Sequence, residues 1–135
     1  LHDVLEDTPV SKTQIADFLR PLMSEQEVKQ TIDLVTDLTD VYIKADYPHL
    51  NRRVRKAKEL ERLVKTSADS QTIKYADILD NSREISAEDP DFARVYLSES
   101  KAILEKLDKG EPELRHLALE AVNSGLQKIR KRARP

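Results

Sequence analysis

The stretch LHDVLEDTPV brings His2, Asp3, Glu6 and Asp7 close together. On a helix, His2 and Glu6 are four apart, as are Asp3 and Asp7, so all four side chains share one broad face while Leu1, Val4 and Leu5 take the other. One imidazole and three carboxylates can hold a cation or move protons. The same pattern also describes a charged stripe that is only solvated. The choice between them depends on partners elsewhere in the chain.

A second cluster lies in QTIKYADILDNSREI, where Lys74, Asp77 and Asn81 recur at three- and four-residue spacing. Ile73, Tyr75, Ala76, Ile78 and Leu79 surround them, and this composition predicts a largely buried helix. A carboxylate there needs a compensating cation. Asp77 is thus a candidate metal ligand, and its alternative is a salt bridge to one of the many Arg residues. A third cluster is basic: from Lys44 to Lys58 there are six Lys and Arg against the single acid Asp46. Arg52, Arg55, Lys56 and Arg62 could face phosphate oxygens, which Arg binds bidentately. A solvated face with Glu59 and Glu61 as helix partners fits that pattern as well.

The elements that must carry these residues read as helices. Thr8-Pro9 is expected to end the first, because the residue before Pro is pushed out of the α region. Ser11 with Gln14 and Ser24 with Glu27 have capping-box spacing and open two helices, the second burying Val28, Ile32 and Val35. A loop is expected from about Asp37 to Leu50. NRRVRKAKELERLVK then predicts a helix that buries Val54, Ala57, Leu60 or Glu61, and Val64. Asp89-Pro90 opens a helix through Phe92, Val95, Tyr96, Ile103, Leu104 and Leu107 to Gly110, and Pro112 opens the last. No sustained period-two alternation occurs, so the expected fold class is all-α.

Composition agrees with one domain over 1–135, with a motif-bearing core over 1–87 and C-terminal helices over 88–135. Charged residues make up 36% and aromatics 4% of the chain, with two Gly and no Trp, which favours helix over sheet. A net charge of −2 gives no global field that calls for nucleic acid or a membrane. The basic tail residues Lys128, Arg130, Lys131, Arg132 and Arg134 suit a helix C-terminus, and no aromatic interleaves with them as a nucleic-acid surface would require. Without Cys there is no disulfide, zinc–thiolate site or thiol nucleophile, which suits a cytoplasmic location. No apolar run approaches the roughly 20 residues that span a bilayer.

Taken together, HDVLEDT and IKYADILDNSR resemble the hydrolase domain of RelA/SpoT enzymes and of small stand-alone alarmone hydrolases, within the HD-domain metal-dependent phosphohydrolases. The resemblance covers His-Asp-x-x-Glu-Asp-Thr, Lys-x-x-Asp-x-x-x-Asn and the LVTDLTD segment between them, about residues 1–85. NRRVRKAKELERL and DPDFARVYL add a likeness to stand-alone members that lack a synthetase domain. A bare His-Asp pair would be weak, but the two motifs joined are specific.

This resemblance implies an HD-domain helical bundle, with His2, Asp3 and Asp77 holding one divalent metal, usually Mn²⁺. It implies that Glu6 and Asp7 orient and activate the attacking water, without deciding which is the base, and that Lys74 and Asn81 lie near the substrate phosphate and ribose. Arg52 and Arg55 are the further phosphate candidates. The activity implied is removal of the 3′-pyrophosphate from guanosine 3′,5′-bis(diphosphate). The alternatives are hydrolysis of another nucleotide phosphate and a degenerate nucleotide-binding module. The implied partner is a nucleotide, neither nucleic acid nor membrane, and a homo-oligomer is allowed. The family motif begins with a further His on an earlier helix; His49 and His116 do not match it, and the expectation is that helices upstream of Leu1 supply it. Asp80 stands where RelA/SpoT enzymes more often carry His, which bears on substrate specificity rather than on metal chemistry.

Overall fold

A computed structural model describes residues 11–85 and 89–133, all α-helix and connecting loop with no strand among them. His2, Asp3, Glu6, Asp7 and the expected helix end at Thr8-Pro9 lie outside the described residues, as does Arg134. Six helices follow in order: α1 Lys12–Leu19, α2 Glu25–Leu38, α3 Arg52–Val64, α4 Ala68–Glu84, α5 Pro90–Lys106 and α6 Pro112–Ala133. None of them is long and apolar enough to cross a membrane. The chain forms two compact units, residues 1–59 and residues 60–135.

In the first unit the two local start signals act as their spacing predicts. Gln14 N–H donates to Ser11 Oγ at 3.2 Å while Ser11 N–H donates to Gln14 Oε1 at 2.8 Å. Ser24 and Glu27 repeat the exchange at 3.2 and 3.3 Å, each box satisfying helix N–H groups that have no carbonyl partner. The helices then pack through Ile15, Leu19 and Val28, flanked by Ala16, Met23 and Ile32. The loop begins slightly later than the pattern predicts, after Leu38, which is itself buried. It is a series of turns, with Tyr47 N–H on Ile43 carbonyl at 2.9 Å and Leu50 N–H on Tyr47 carbonyl at 3.1 Å.

The start of α3 departs from the expected buried stripe. Val54 and Ala57 are exposed; the buried side chains are Leu63 and, at 4% exposure, Glu59. Glu59 is neither a solvated partner nor an orphan: its Oε1 accepts the N–H groups of Val41 and Tyr42, each at 2.6 Å, tying the loop to the helix. Two charge-assisted bonds to loop N–H groups offset the burial of the carboxylate.

The second unit is built around Leu63, Tyr75, Ile78, Ala93, Leu97, Leu104, Leu107, Ala118, Val122 and Ile129. Asp89 caps α5 through Phe92 N–H at 3.1 Å, with Pro90 in the first turn where its missing N–H is harmless. The core face of α5 is Ala93, Leu97, Ser100 and Leu104, whereas Phe92 at 45% and Val95 at 42% exposure lie outside it. The expected burial of α4 is also corrected. Ile73 is 39% exposed and Ala76 is exposed, while Ser70, Gln71 and Ser82 are buried beside Tyr75 and Ile78.

The polar burial follows from what α4 holds. Gln71 Oε1 accepts from Lys109 N–H at 3.0 Å, and its Nε2 donates to the carbonyls of Thr66 at 3.3 Å and Val64 at 3.4 Å. Thr72 Oγ1 accepts from Glu111 N–H at 2.9 Å, and the Tyr75 hydroxyl donates to Leu107 carbonyl while accepting from Gly110 N–H at 3.1 Å. One side of α4 thus satisfies the backbone of the α5–α6 loop, which water would otherwise have to do.

This docking leaves no room at Gly110. A Cβ there would lie 2.5 Å from Tyr75 Cε2 and 2.9 Å from the Thr72 backbone nitrogen, one a fully buried ring and the other helix backbone. Gly110→Ala is therefore expected to destabilise the protein by about 1–3 kcal/mol, the usual cost of overpacking. Urea unfolding checks this: a midpoint equal to that of the parent chain would mean that the loop relaxes away from α4 at no cost.

Candidate functional site

The site residues that can be placed lie on α4. Ser67 begins the helix, accepting Ser70 N–H at 3.1 Å, with Asp69 in the first turn and Arg83 in the last, as the helix dipole favours. Seventeen residues of uninterrupted helix then carry Lys74, Asp77 and Asn81 up one side. The three side chains meet. Lys74 Nζ lies 3.4 Å from Asp77 Oδ2, and Asn81 Nδ2 donates to Asp77 Oδ1 at 3.3 Å.

Asp77 is thus compensated by its own helix, through a Lys three residues earlier and an amide four residues later. The alternative of an Arg salt bridge is not what the structure records for it; the recorded ion-pair partner is Lys74. The side chains of Lys74 and Asp77 are 20% and 30% exposed, so this face is partly buried. Both contacts are long against the roughly 2.7–2.9 Å of a strong charge-assisted bond. Each carboxylate oxygen has two lone pairs and spends one on these donors. A hard or borderline divalent cation could take the other, so Asp77 fits the ligand role the motif implies.

Arg52 and Arg55 stand on α3, three residues apart and so on neighbouring positions of one side. Asn51 supports that helix start by accepting Val54 N–H at 3.0 Å. Arg52 is exposed; Arg55 is half-buried, and its Nε is buried without a hydrogen-bond partner. Both belong to the first unit, whereas Lys74, Asp77 and Asn81 belong to the second.

Of the other basic residues in this run, Lys56 lies 3.9 Å from Asp40 Oδ2 and Lys58 lies 5.7 Å from the Tyr42 ring centroid. The Tyr42 and Tyr47 rings are 5.0 Å apart, and Tyr47 and His49 6.1 Å. This tyrosine pair beside Lys58 is a feature that pattern reading passed over. Its signal, aromatics spaced through a short loop before a basic helix, is weak until the loop conformation is known. His116 is exposed on α6, with Nε2 3.0 Å from Glu120.

Among the described residues no group of three or more His, Cys, Asp or Glu is placed to hold a metal ion, and the His2 and Asp3 candidates lie outside them. No family model, no curated protein and no solved structure matches this chain.

Proposed function

We propose that this protein is a metal-dependent phosphohydrolase of the HD type that removes the 3′-pyrophosphate from guanosine 3′,5′-bis(diphosphate). The observation that carries this reading is the Asp77 carboxylate held between Lys74 and Asn81 in a Lys-x-x-Asp-x-x-x-Asn helix, within a chain that also contains His-Asp-x-x-Glu-Asp-Thr.

In this reading His2, Asp3 and Asp77 hold a divalent cation, expected to be Mn²⁺, which when bound makes water a stronger nucleophile and offsets charge on the reacting phosphate. Lys74 and Asn81 restrain the Asp77 carboxylate, one at each oxygen. Glu6 and Asp7 orient the attacking water and take up its proton. Water oxygen forms a bond to the phosphorus beside the ribose 3′ oxygen, the bond between that phosphorus and O3′ breaks, and the O3′ leaving group is protonated. The products are pyrophosphate and a nucleoside 5′-diphosphate. Lys74, Arg52 and Arg55 are assigned to the phosphates and Asn81 to the ribose. A nucleotide substrate and the absence of Cys both agree with a cytoplasmic site of action.

Incubation of the protein with Mn²⁺ and guanosine 3′,5′-bis(diphosphate) is expected to release pyrophosphate. Tight nucleotide binding with no phosphate or pyrophosphate released under any divalent metal would replace the hydrolase reading with that of a binding module. Release from a different nucleotide alone would keep the chemistry and change the substrate.

Glu6→Gln and Asp7→Asn are each expected to lower kcat by roughly 10²-fold, the scale of general acid–base contributions, with sub-additive effects in the double variant. Mn²⁺ affinity should fall far less, because neither residue is assigned to the cation. If metal-loaded single variants turn over within a few-fold of the parent, this acidic stretch is only a solvated helix face.

A further inference from the structure

We propose that the loop between α2 and α3 is the base-binding part of the nucleotide site, with Tyr42 and Tyr47 as the surface on which the base stacks. This inference deepens the proposed function and rests on it for the ligand being a nucleotide. Every residue it uses belongs to the first unit.

The chain has only four Tyr, and two of them lie five residues apart in this loop. Their rings are 5.0 Å apart and tilted by 48°, and the His49 ring follows 6.1 Å from Tyr47, tilted by 46°. These are not core aromatics. Tyr75 is fully buried, whereas Tyr42 and Tyr47 are half-buried and His49 is exposed. Among the described residues neither Tyr belongs to the apolar cluster that packs α1 on α2. Rings tilted in this way do not cover one another as parallel stacked rings would, so the row does not close on itself. Its backbone is fixed in advance: Tyr42 N–H is held by Glu59 at 2.6 Å, Tyr47 N–H by Ile43 carbonyl at 2.9 Å, and Tyr47 carbonyl by Leu50 N–H at 3.1 Å. A surface already ordered binds at a smaller entropic cost.

The cations beside the row point to the class of ligand. Lys58 Nζ lies 5.7 Å from the Tyr42 ring centroid. Arg55 precedes Lys58 by three residues and Glu59 by four, so it lies on their side of α3, one turn or about 5.4 Å nearer the helix start. Arg52 lies nearly one turn further back and is exposed. A base stacked on the tyrosines thus has cationic side chains one to two turns away along α3, where a ribose would carry the phosphates. Arg matches phosphate oxygens, and an aromatic face accepts any base. A single-stranded nucleic acid would need further aromatics along its path, so one nucleotide fits this short row better.

The test is a titration of the protein, with isotope-labelled Tyr rings and EDTA present, by guanosine 5′-diphosphate and separately by inorganic pyrophosphate. Saturable displacement of the Tyr42 and Tyr47 ring resonances by the nucleotide, not reproduced by pyrophosphate, is expected, with Tyr96 on α5 as the reference ring. Tyr47→Leu should weaken nucleotide binding by roughly 5-fold or more, the low end of base–aromatic stacking, and leave pyrophosphate binding unchanged. Tyr47→Phe keeps the aromatic face and should bind as the parent does, which a role for the hydroxyl would not give. The readout is confined to these rings, so nucleotide contacts assigned to Lys74 and Asn81 do not enter it. Rings unmoved at millimolar nucleotide, equal displacement by pyrophosphate, or parental affinity in Tyr47→Leu would each overturn the inference. Pyrophosphate release from guanosine 3′,5′-bis(diphosphate) with Mn²⁺ separates it from the hydrolase reading: release with unmoved rings rejects the base site alone, and moved rings without release keep the base site and reject hydrolysis.

Discussion

Replacing Asp77 with Asn is expected to lower pyrophosphate release by roughly 10³-fold, since a ligand carboxylate supports several kcal/mol of transition-state charge stabilisation. The substitution keeps the shape and removes the charge. It also spoils the local arrangement: Asp77 now accepts from Lys74 on one oxygen and from Asn81 on the other, and an amide offers only one acceptor to two donors. Stability should change by no more than about 1 kcal/mol, because a half-exposed ion pair within one helix contributes little.

Loss of activity without loss of fold is therefore the signature of a ligand. Thermal unfolding and an Mn²⁺ titration should accompany the assay, with weakened metal binding expected. Asp91→Asn, which breaks the exposed pair to Arg94 at 3.7 Å on α5, serves as the control and should leave turnover unchanged. Turnover within a few-fold of the parent in metal-loaded Asp77→Asn would remove Asp77 from the metal site and return the Lys74–Asp77–Asn81 cluster to a structural role.

The largest effect on stability is expected at Tyr75. Its side chain is fully buried in the second unit, and its hydroxyl bridges Leu107 carbonyl and Gly110 N–H. Tyr75→Ala opens a cavity the size of an aromatic ring and also leaves that carbonyl and N–H without their partner. Truncation of a buried aromatic costs about 3–5 kcal/mol, a large share of the roughly 5–15 kcal/mol that holds a domain together.

If the alanine variant does not fold, Tyr75→Phe separates the two contributions. It keeps the ring and removes only the hydroxyl, for an expected loss of about 1–3 kcal/mol from the unsatisfied backbone groups. Denaturant unfolding reads both, and amide exchange at Gly110 should quicken in the Phe variant. A Phe variant as stable as the parent, with Gly110 still protected, would show that the loop does not depend on this hydroxyl.

What the sequence by itself determined about this protein is what short-range chemistry controls. Ser11 with Gln14, Ser24 with Glu27 and Asp89 with Pro90 mark helix starts because a cap needs only groups three residues apart to satisfy the first N–H donors. For the same reason Lys74, Asp77 and Asn81 share one face of α4 in any structure where that segment is helical. The tertiary structure decided the rest. Nothing local tells Glu59 to turn inward; the loop N–H groups of Val41 and Tyr42 do, and their position depends on the chain folding back. Composition points to Ile73 and Ala76 as core, yet Gln71 and Ser70 are buried in their place. Docking of the α5–α6 loop rewards the side of α4 that can satisfy backbone groups brought from more than thirty residues away. Helical periodicity fixes which residues lie together, but which side faces inward depends on partners distant in the chain.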